Sequence, residues 1–441
     1  MRGLIVFVTV VILAPFLALP VWAEVKIKQV VSPGGLTAWL VEDQSIPFTA
    51  LELRFRGGTS LDAPGKRGAV HLMTGLLEEG AGDLEARAYA RALEGLAASF
   101  GFDSSSDSVS VSARFLSENR DEALALLRDT LHAPRYDQSA IERVRAQVLS
   151  GLRSDAKDPD AIAAATFRRM AFGDHPYGSD GSGTVESVAA LSRDDIVAAH
   201  RAVFSRENLY IGAVGDITSE ELGLLIDDLL GDLPAKGAPL PGPAMIALTG
   251  GVTVVEFDTP QSVALFGHAG IAQEAPDFFA AYVLNQVLGG GSFESRLMTE
   301  VREKRGLTYG VYSYLSPRDL AATYRGGVSS ANNKIAEAIA VIREEWTKAA
   351  RDGITQDEMD AAKTYLTGAY PLRFDGNARI AGILVSMQMQ DLPIDYIATR
   401  NERVEAVTLA DVNRVARELL QPGNLRFVVV GKPEGLNEGS N

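Results

Sequence analysis

Two stretches decide how this chain folds: residues 191–215, LSRDDIVAAHRAVFSRENLYIGAVG, and residues 407–431, VTLADVNRVARELLQPGNLRFVVVG. Laid over each other without a gap, they bring Asp195 onto Asp411, Asn208 onto Asn424, Leu209 onto Leu425 and Gly215 onto Gly431. Each reads as an amphipathic helix, a turn at Asn, then an apolar strand that ends in Gly. An ungapped match of this kind points to a duplicated unit, so the chain is expected to fold as two related halves.

The break between the halves falls in Gly231–Gly251, GDLPAKGAPLPGPAMIALTGG, where prolines and glycines make a poor helix or central strand. The expected layout is a first domain over 24–233, a linker over 234–250, a second domain over 251–432 and a polar tail over 433–441. In the first half Leu36–Val41, Ala50–Arg56 and the strictly alternating Ser108–Phe115 read as strands, with a helix over about Lys66–Glu79. In the second half Val252–Phe257, Ser262–Ala269, Tyr309–Leu315 and Thr323–Ser329 read as strands, with helices over Asp277–Leu288 and Phe293–Glu303. Strands and helices that do not strictly alternate predict an α+β fold, each half a sheet covered by helices.

Composition narrows the chemistry. The chain has no cysteine, which excludes disulfides, thiolate metal sites and cysteine nucleophiles. Its net charge of −15 argues against nucleic acid or an anionic membrane surface as a partner. At the N-terminus Met1-Arg2 precedes the apolar run Leu4–Leu19, and Val21-Trp22-Ala23 offers small residues for cleavage. Residues 1–23 are therefore expected to be a signal peptide, giving a periplasmic or secreted protein with no stable membrane anchor after cleavage. Retention of the segment as an anchor is the competing reading.

Histidine is scarce: His71, His132, His175, His200 and His268, with no two at helical i, i+3 or i, i+4 spacing. A hydrolytic zinc site needs three protein ligands and an open position. His71 has no partner histidine on its helix. The triple glycine 289–291 lacks the Lys-Ser/Thr of a phosphate loop, and no Gly-x-Ser-x-Gly nucleophile elbow is present.

Residues 67–82 (RGAVHLMTGLLEEGAG), 141–153 (IERVRAQVLSGLR), 172–196 (FGDHPYGSDGSGTVESVAALSRDDI) and 289–315 (GGGSFESRLMTEVREKRGLTYGVYSYL) resemble segments of the pitrilysin, or insulinase-type M16, zinc metallopeptidases. The resemblance spans about residues 28–431 and implies two homologous M16-type (LuxS/metallohydrolase-like) domains, each a mostly antiparallel sheet packed with helices. In that family His-x-x-Glu-His supplies two ligands and the general base. Here His71 keeps the first position, Thr74 replaces the base, Gly75 replaces the second ligand and Gly151 replaces a later Glu ligand. The resemblance thus implies no metal on this chain.

It also implies that the family's second-domain pair survives as Arg302 and Tyr309, in VREKRGLTY (301–309). A Tyr hydroxyl can donate to the oxyanion of amide hydrolysis, and an Arg fork can hold a peptide carbonyl. Ser292 reads as the N-cap of the helix that carries Arg302, and Tyr309 as the start of a strand. One branch of the family divides its site between subunits. By that resemblance this chain is expected to pair, as a heterodimer, with a paralogue that carries zinc, and to act on unfolded peptides. The alternatives are a catalytically inactive scaffold or peptide-holding protein, and a secreted binding protein that shares only the fold.

Overall fold

The computed structural model describes residues 26–291 and 293–436. The expected signal peptide (1–23), the expected cap Ser292 and residues 437–441 of the tail lie outside the described residues.

The first half contains strands β1 (Lys28–Val31), β2 (Thr37–Glu42), β3 (Phe48–Arg56), β4 (Gly80–Ala81), β5 (Leu84–Glu85), β6 (Ser99–Ser104), β7 (Ser108–Leu116) and β8 (Leu209–Gly215). Its helices are α1 (Ala69–Gly75), α2 (Ala86–Gly95), α3 (Arg120–His132), α4 (Gln138–Asp155), α5 (Pro159–Phe172), α6 (Val185–Ala189), α7 (Arg193–Val203) and α8 (Ser219–Leu230). The second half contains β9 (Gly251–Glu256), β10 (Gln261–Ala269), β11 (Val311–Arg318), β12 (Ala321–Ala331) and β13 (Arg426–Gly431). Its helices are α9 (Phe278–Gly289), α10 (Ile335–Asp352), α11 (Gln356–Gly368), α12 (Asn377–Met389), α13 (Tyr396–Glu405) and α14 (Leu409–Leu419).

The duplication read from the sequence is a duplication of topology. The first sheet runs β1-β2-β8-β3-β7-β6 and the second β11-β12-β10-β13-β9. Set β1 aside and reverse one of them, and the two orders coincide. In each sheet the last strand of the half lies parallel to one strand, β8 to β2 and β13 to β9, and the other pairings are antiparallel. The matched helices α7 and α14 start with the same device. Ser192 and Asp195, like Thr408 and Asp411, exchange hydrogen bonds in a capping box. Both matched strands end in glycines at positive φ, 136° for Gly215 and 151° for Gly431.

Each sheet buries both faces. On the first, Leu51, Leu53 and Phe55 of β3 join Val109 and Val111 of β7 in a core closed by helices of the same half. The opposite face, with Trp39, Ala50 and Val214, is covered by Ala381, Leu384 and Met387 of α12, a helix of the second half. The second sheet repeats the arrangement. Ala264, Phe266 and Phe427 pack on its own helices, while Val263, Val428 and Val430 receive Phe167 and Ala171 of α5, from the first half. Glycine permits each close approach. A Cβ on Gly212 would meet the Ala381 carbonyl at 2.8 Å, and one on Gly267 would meet the Phe167 ring at 3.0 Å. The halves therefore exchange one helix each, and neither sheet is covered without the other half.

Polar contacts tie the same junction. Tyr177 donates its hydroxyl proton to Asp107 and accepts from the Leu320 N–H at 3.1 Å. Arg318 lies 3.4 Å above the Tyr177 ring centre, Arg56 pairs with Asp319 at 3.2 Å, and Arg54 donates to Ser386 at 2.9 Å. Residues 234–250 form neither helix nor strand, yet they are pinned along the junction. Ala244 N–H donates to Leu320 O at 2.8 Å and Ala247 N–H to Ala171 O at 2.9 Å.

Two helices are shorter than their sequence pattern predicts. The helix expected over Lys66–Glu79 is only Ala69–Gly75: Gly68 enters at φ 95°, and after Gly75 the chain tightens into turns in which Leu76 N–H donates to Met73 O and Leu77 N–H to Thr74 O. The helix expected from Phe293 starts near Arg296. There Ser295 Oγ accepts from Met298 N–H at 3.4 Å, and Met298–Glu303 continues as a π turn.

Candidate functional site

The zinc-motif helix α1 is anchored from its N-terminus. Asp62 accepts from the N–H groups of Gly68 and Val70, both at 2.8 Å, where unpaired amides favour an anion. Arg67 holds Asp62 at 3.2 Å and donates to Asp180 O and Pro176 O. Burial keeps the Asp62 carboxyl above its ordinary range even with these donors.

This backbone is rigid, but its side chains do not fit a zinc ion. Thr74 is buried and spends its hydroxyl on Val70 O at 2.8 Å. His71 is half-buried, with Nδ1 3.2 Å from Ser104 Oγ on β6. Gly75 and Gly151 present no donor. A Cβ on Gly75 would sit 3.2 Å from Val144, whereas one on Gly151, on α4, would meet nothing within 4 Å. Close to α1, Glu79 is paired with Arg143. The other histidines are engaged elsewhere: His132 with Leu229 O, His175 with Gly242 O, His268 with Trp346 and Ala269 O, and His200 against Phe204 and Tyr136. Among the described residues no group of three or more His, Asp or Glu could hold a metal ion.

The second-half pair sits at the far edge of the other sheet. Leu297, Met298 and Val301 are buried, and Arg296 grips Glu358 through two contacts at 2.6 and 2.7 Å, so the π turn is fixed to the core. Arg302, on the outer side of that turn, lays its guanidinium 4.9 Å from the centre of the exposed Phe293 ring. Gly306, at φ 59°, closes the helix, its N–H donating to Arg302 O at 2.8 Å.

Tyr309 does not begin a strand, as its sequence context predicts. It occupies a turn before β11. Thr308 Oγ1 lies 2.6 Å from Ser329 O and accepts from Gly310 N–H, which turns the intervening residue outward. The Tyr309 side chain is 90% exposed. Beyond it Tyr312 and Tyr314 alternate outward along β11 and stack at 6.1 Å. Since β11 is the edge of its sheet, paired with β12 on one side only, the exposed aromatics lie along a strand with one free edge. Phe293, which stacks with Arg302, is a member of this surface that the motif reading passed over. Its only sequence signal is its place after the glycine turn.

The structure does not bring His71 into contact with Arg302 or Tyr309. The first belongs to α1 beside edge strand β6, the others to the segment before edge strand β11. By topology the counterpart of α1 in the second half is α9, and the Arg302 turn follows that helix, immediately before β11.

A duplicated α+β chain with this topology, this short His71 helix and this Arg/Tyr turn has the architecture of an M16-type metallopeptidase. Comparisons agree. Residues 38–180 match the family profile described as insulinase (peptidase family M16), and residues 190–366 match that described as the peptidase M16 inactive domain. The chain belongs to the M16 family, and its second half matches the domain that the family profile describes as inactive. It is 28% identical over 390 residues to a Helicobacter pylori protein described as the non-peptidase homolog YmxG, covering 88% of this chain and 90% of that one. It is 25% identical over 408 residues to an uncharacterized zinc protease of Streptomyces coelicolor, covering 89% and 87%. Its fold superposes on the peptidase M16 inactive domain from Pseudomonas fluorescens with a TM-score of 0.87 at 27% identity, covering 94% of this chain and all of that one.

Proposed function

We propose that this protein is the non-metal subunit of a divided M16 peptidase, exported to the periplasm and paired there with a paralogue that bears zinc. The observation that carries this reading is the Arg302–Tyr309 turn. It is built on a buried, ion-paired base, yet it presents a phenol that is 90% exposed. A solvated Tyr at the tip of a fixed turn does nothing for stability, and suits contact with another molecule. Tyr309 would donate its hydroxyl proton to the oxyanion formed from the scissile carbonyl, and Arg302 would hold a neighbouring peptide carbonyl. The metal, the attacking water and the base belong to the partner. An unfolded peptide added along the free edge of β11 would gain backbone hydrogen bonds and contacts with Tyr312 and Tyr314, with little demand on sequence.

A second reading is an inactive scaffold or peptide-holding protein. It is favoured by the loss of three of the four motif positions and by the description of the Helicobacter pylori relative as a non-peptidase. Co-purification and cleavage separate the two. The chain, a paralogue encoded beside it with an intact His-x-x-Glu-His, and their mixture are assayed on an unfolded peptide. The divided-peptidase reading expects a stable pair and cleavage by the mixture well above the sum of the parts. A paralogue that is fully active alone supports the scaffold.

A further inference from the structure

The second half contains a cavity of about 270 Å3 between α9, α12, α13 and the turn Tyr370–Arg373. Its walls are aromatic, with Tyr282, Tyr370, Phe374 and Tyr396 among the lining residues, and no carboxylate lines it. Two cations do, Arg373 at the exposed rim and Arg400 within.

Arg400 is the unusual group. It is only 4% exposed, and among the described residues it has no ion-pair partner. Its Nη1 donates to Leu366 O at 2.8 Å and to Asn401 Oδ1 at 2.9 Å. Its guanidinium lies 4.5 Å from the Tyr370 ring centre and 5.3 Å from that of Tyr282. Among the described residues the Nε–Nη2 edge makes no hydrogen bond. That edge is one of the two by which a guanidinium grips a carboxylate with paired N–H donors. A buried charge is ordinarily paired, because desolvation is costly. Here two rings supply part of the compensation, and the remaining donors border open space.

The hydroxyls of Tyr282, Tyr370 and Tyr396 also make no hydrogen bond among the described residues. Burial pushes the Tyr370 phenol up to about 12, so it remains a neutral donor at physiological pH. The cavity opens into a wider groove, with which it shares Gln273, Phe279 and Leu392, and that groove carries Glu274, Asp391, Asp411 and Asp277, the last paired with Arg414, against the single cation Arg403 in its lining. A mouth of net negative charge above a cationic, aromatic floor disfavours dianions and acidic tails. It accepts a single carboxylate on an apolar body.

From this arrangement we propose a binding site for a monocarboxylate bearing an aromatic or aliphatic group, with the carboxylate on the free edge of Arg400 and the apolar group among Tyr282, Phe374 and Tyr396. Two sources share that chemistry, the C-terminal residue of a peptide and a free small acid. The site is separate from the Arg302–Tyr309 turn and stands independently of the function proposed for it.

The test is calorimetric titration of the purified chain with 3-phenylpropionate, with the tripeptide Ala-Ala-Phe, with its C-terminal amide and with inorganic phosphate. Binding of both acids, with the amide at least tenfold weaker, is the expected result. Binding of the tripeptide acid alone also supports the site and assigns it to peptide ends. Arg400→Lys should weaken the acids more than tenfold. Should that variant fail to fold, the exposed-rim change Arg373→Gln should weaken them severalfold in a folded protein. Equal binding of acid and amide, tighter binding of phosphate, or no binding of any probe at millimolar concentration overturns the proposal.

Discussion

Arg302 lies with its guanidinium 4.9 Å from the ring centre of Phe293, beyond the end of the buried helix α9 and on a π turn fixed by Arg296 and Glu358. The ring restricts an otherwise mobile side chain, at the worth of an exposed cation–π contact, about 0.5–1 kcal/mol. Phe293→Ala is therefore expected to raise KM severalfold in the reconstituted mixture with kcat little changed, and to leave the melting temperature within a degree or two. A loss confined to kcat would assign Phe293 a different role.

The exchanged helices predict long-range coupling of stability. Leu384 belongs to the second half by sequence, but is fully buried against the sheet of the first. Leu384→Ala should cost about 2–5 kcal/mol, the range for deleting a buried Leu side chain. Hydrogen exchange should show the amides of β3 and β8 losing protection along with those of α12. Loss of protection in the second half alone would contradict the exchange.

Acid should destabilise the protein through His200. Burial, with a smaller push from His132 and Arg201, depresses its pKa to about 4, below the ordinary 6.5. Between those values the unfolded chain binds the proton and the folded one does not, so stability falls as pH drops from 6.5 towards 4. The total is about 3 kcal/mol at 1.36 kcal/mol per pH unit. His200→Phe should flatten that limb of a urea-denaturation series across pH.

Asp319 acts with the opposite sign over the same window. Its carboxyl is pushed up to about 6 by burial, even though Arg56 lies beside it. Its contribution is complete below 3.8 and is lost as pH rises through 6, so it partly masks His200 in acid. Asp319→Asn should steepen the acid loss of stability between pH 6 and 4. An unchanged slope would show that the carboxyl titrates normally.

The duplicated helix–strand unit was legible because its signals are local: an amphipathic period, a turn at Asn, an apolar run and a terminal glycine. The helix that carries His71 was legible in place though not in length, and the reading of Thr74, Gly75 and, on α4, Gly151 as lost ligand or base positions came from the family resemblance. The exchange of α5 and α12 was not, because covering a sheet from the other half is a non-local contact that helical periodicity does not encode. The turn at Tyr309 escaped for a similar reason: the partner that shapes it, Ser329, lies on the neighbouring strand. Arg400, in YIATRNERV, reads as an ordinary helix-surface charge until Tyr282 and Tyr370, distant in sequence, close over it.

The most direct test of the divided-site reading is the Tyr309→Phe substitution in the chain mixed with its zinc-bearing paralogue. The hydroxyl is solvent-exposed, so its removal should leave folding and pairing intact. Loss of an oxyanion donor should lower kcat for peptide cleavage by about a hundredfold or more. A mixture whose kcat is unchanged by Tyr309→Phe contradicts the reading and leaves this chain as a scaffold.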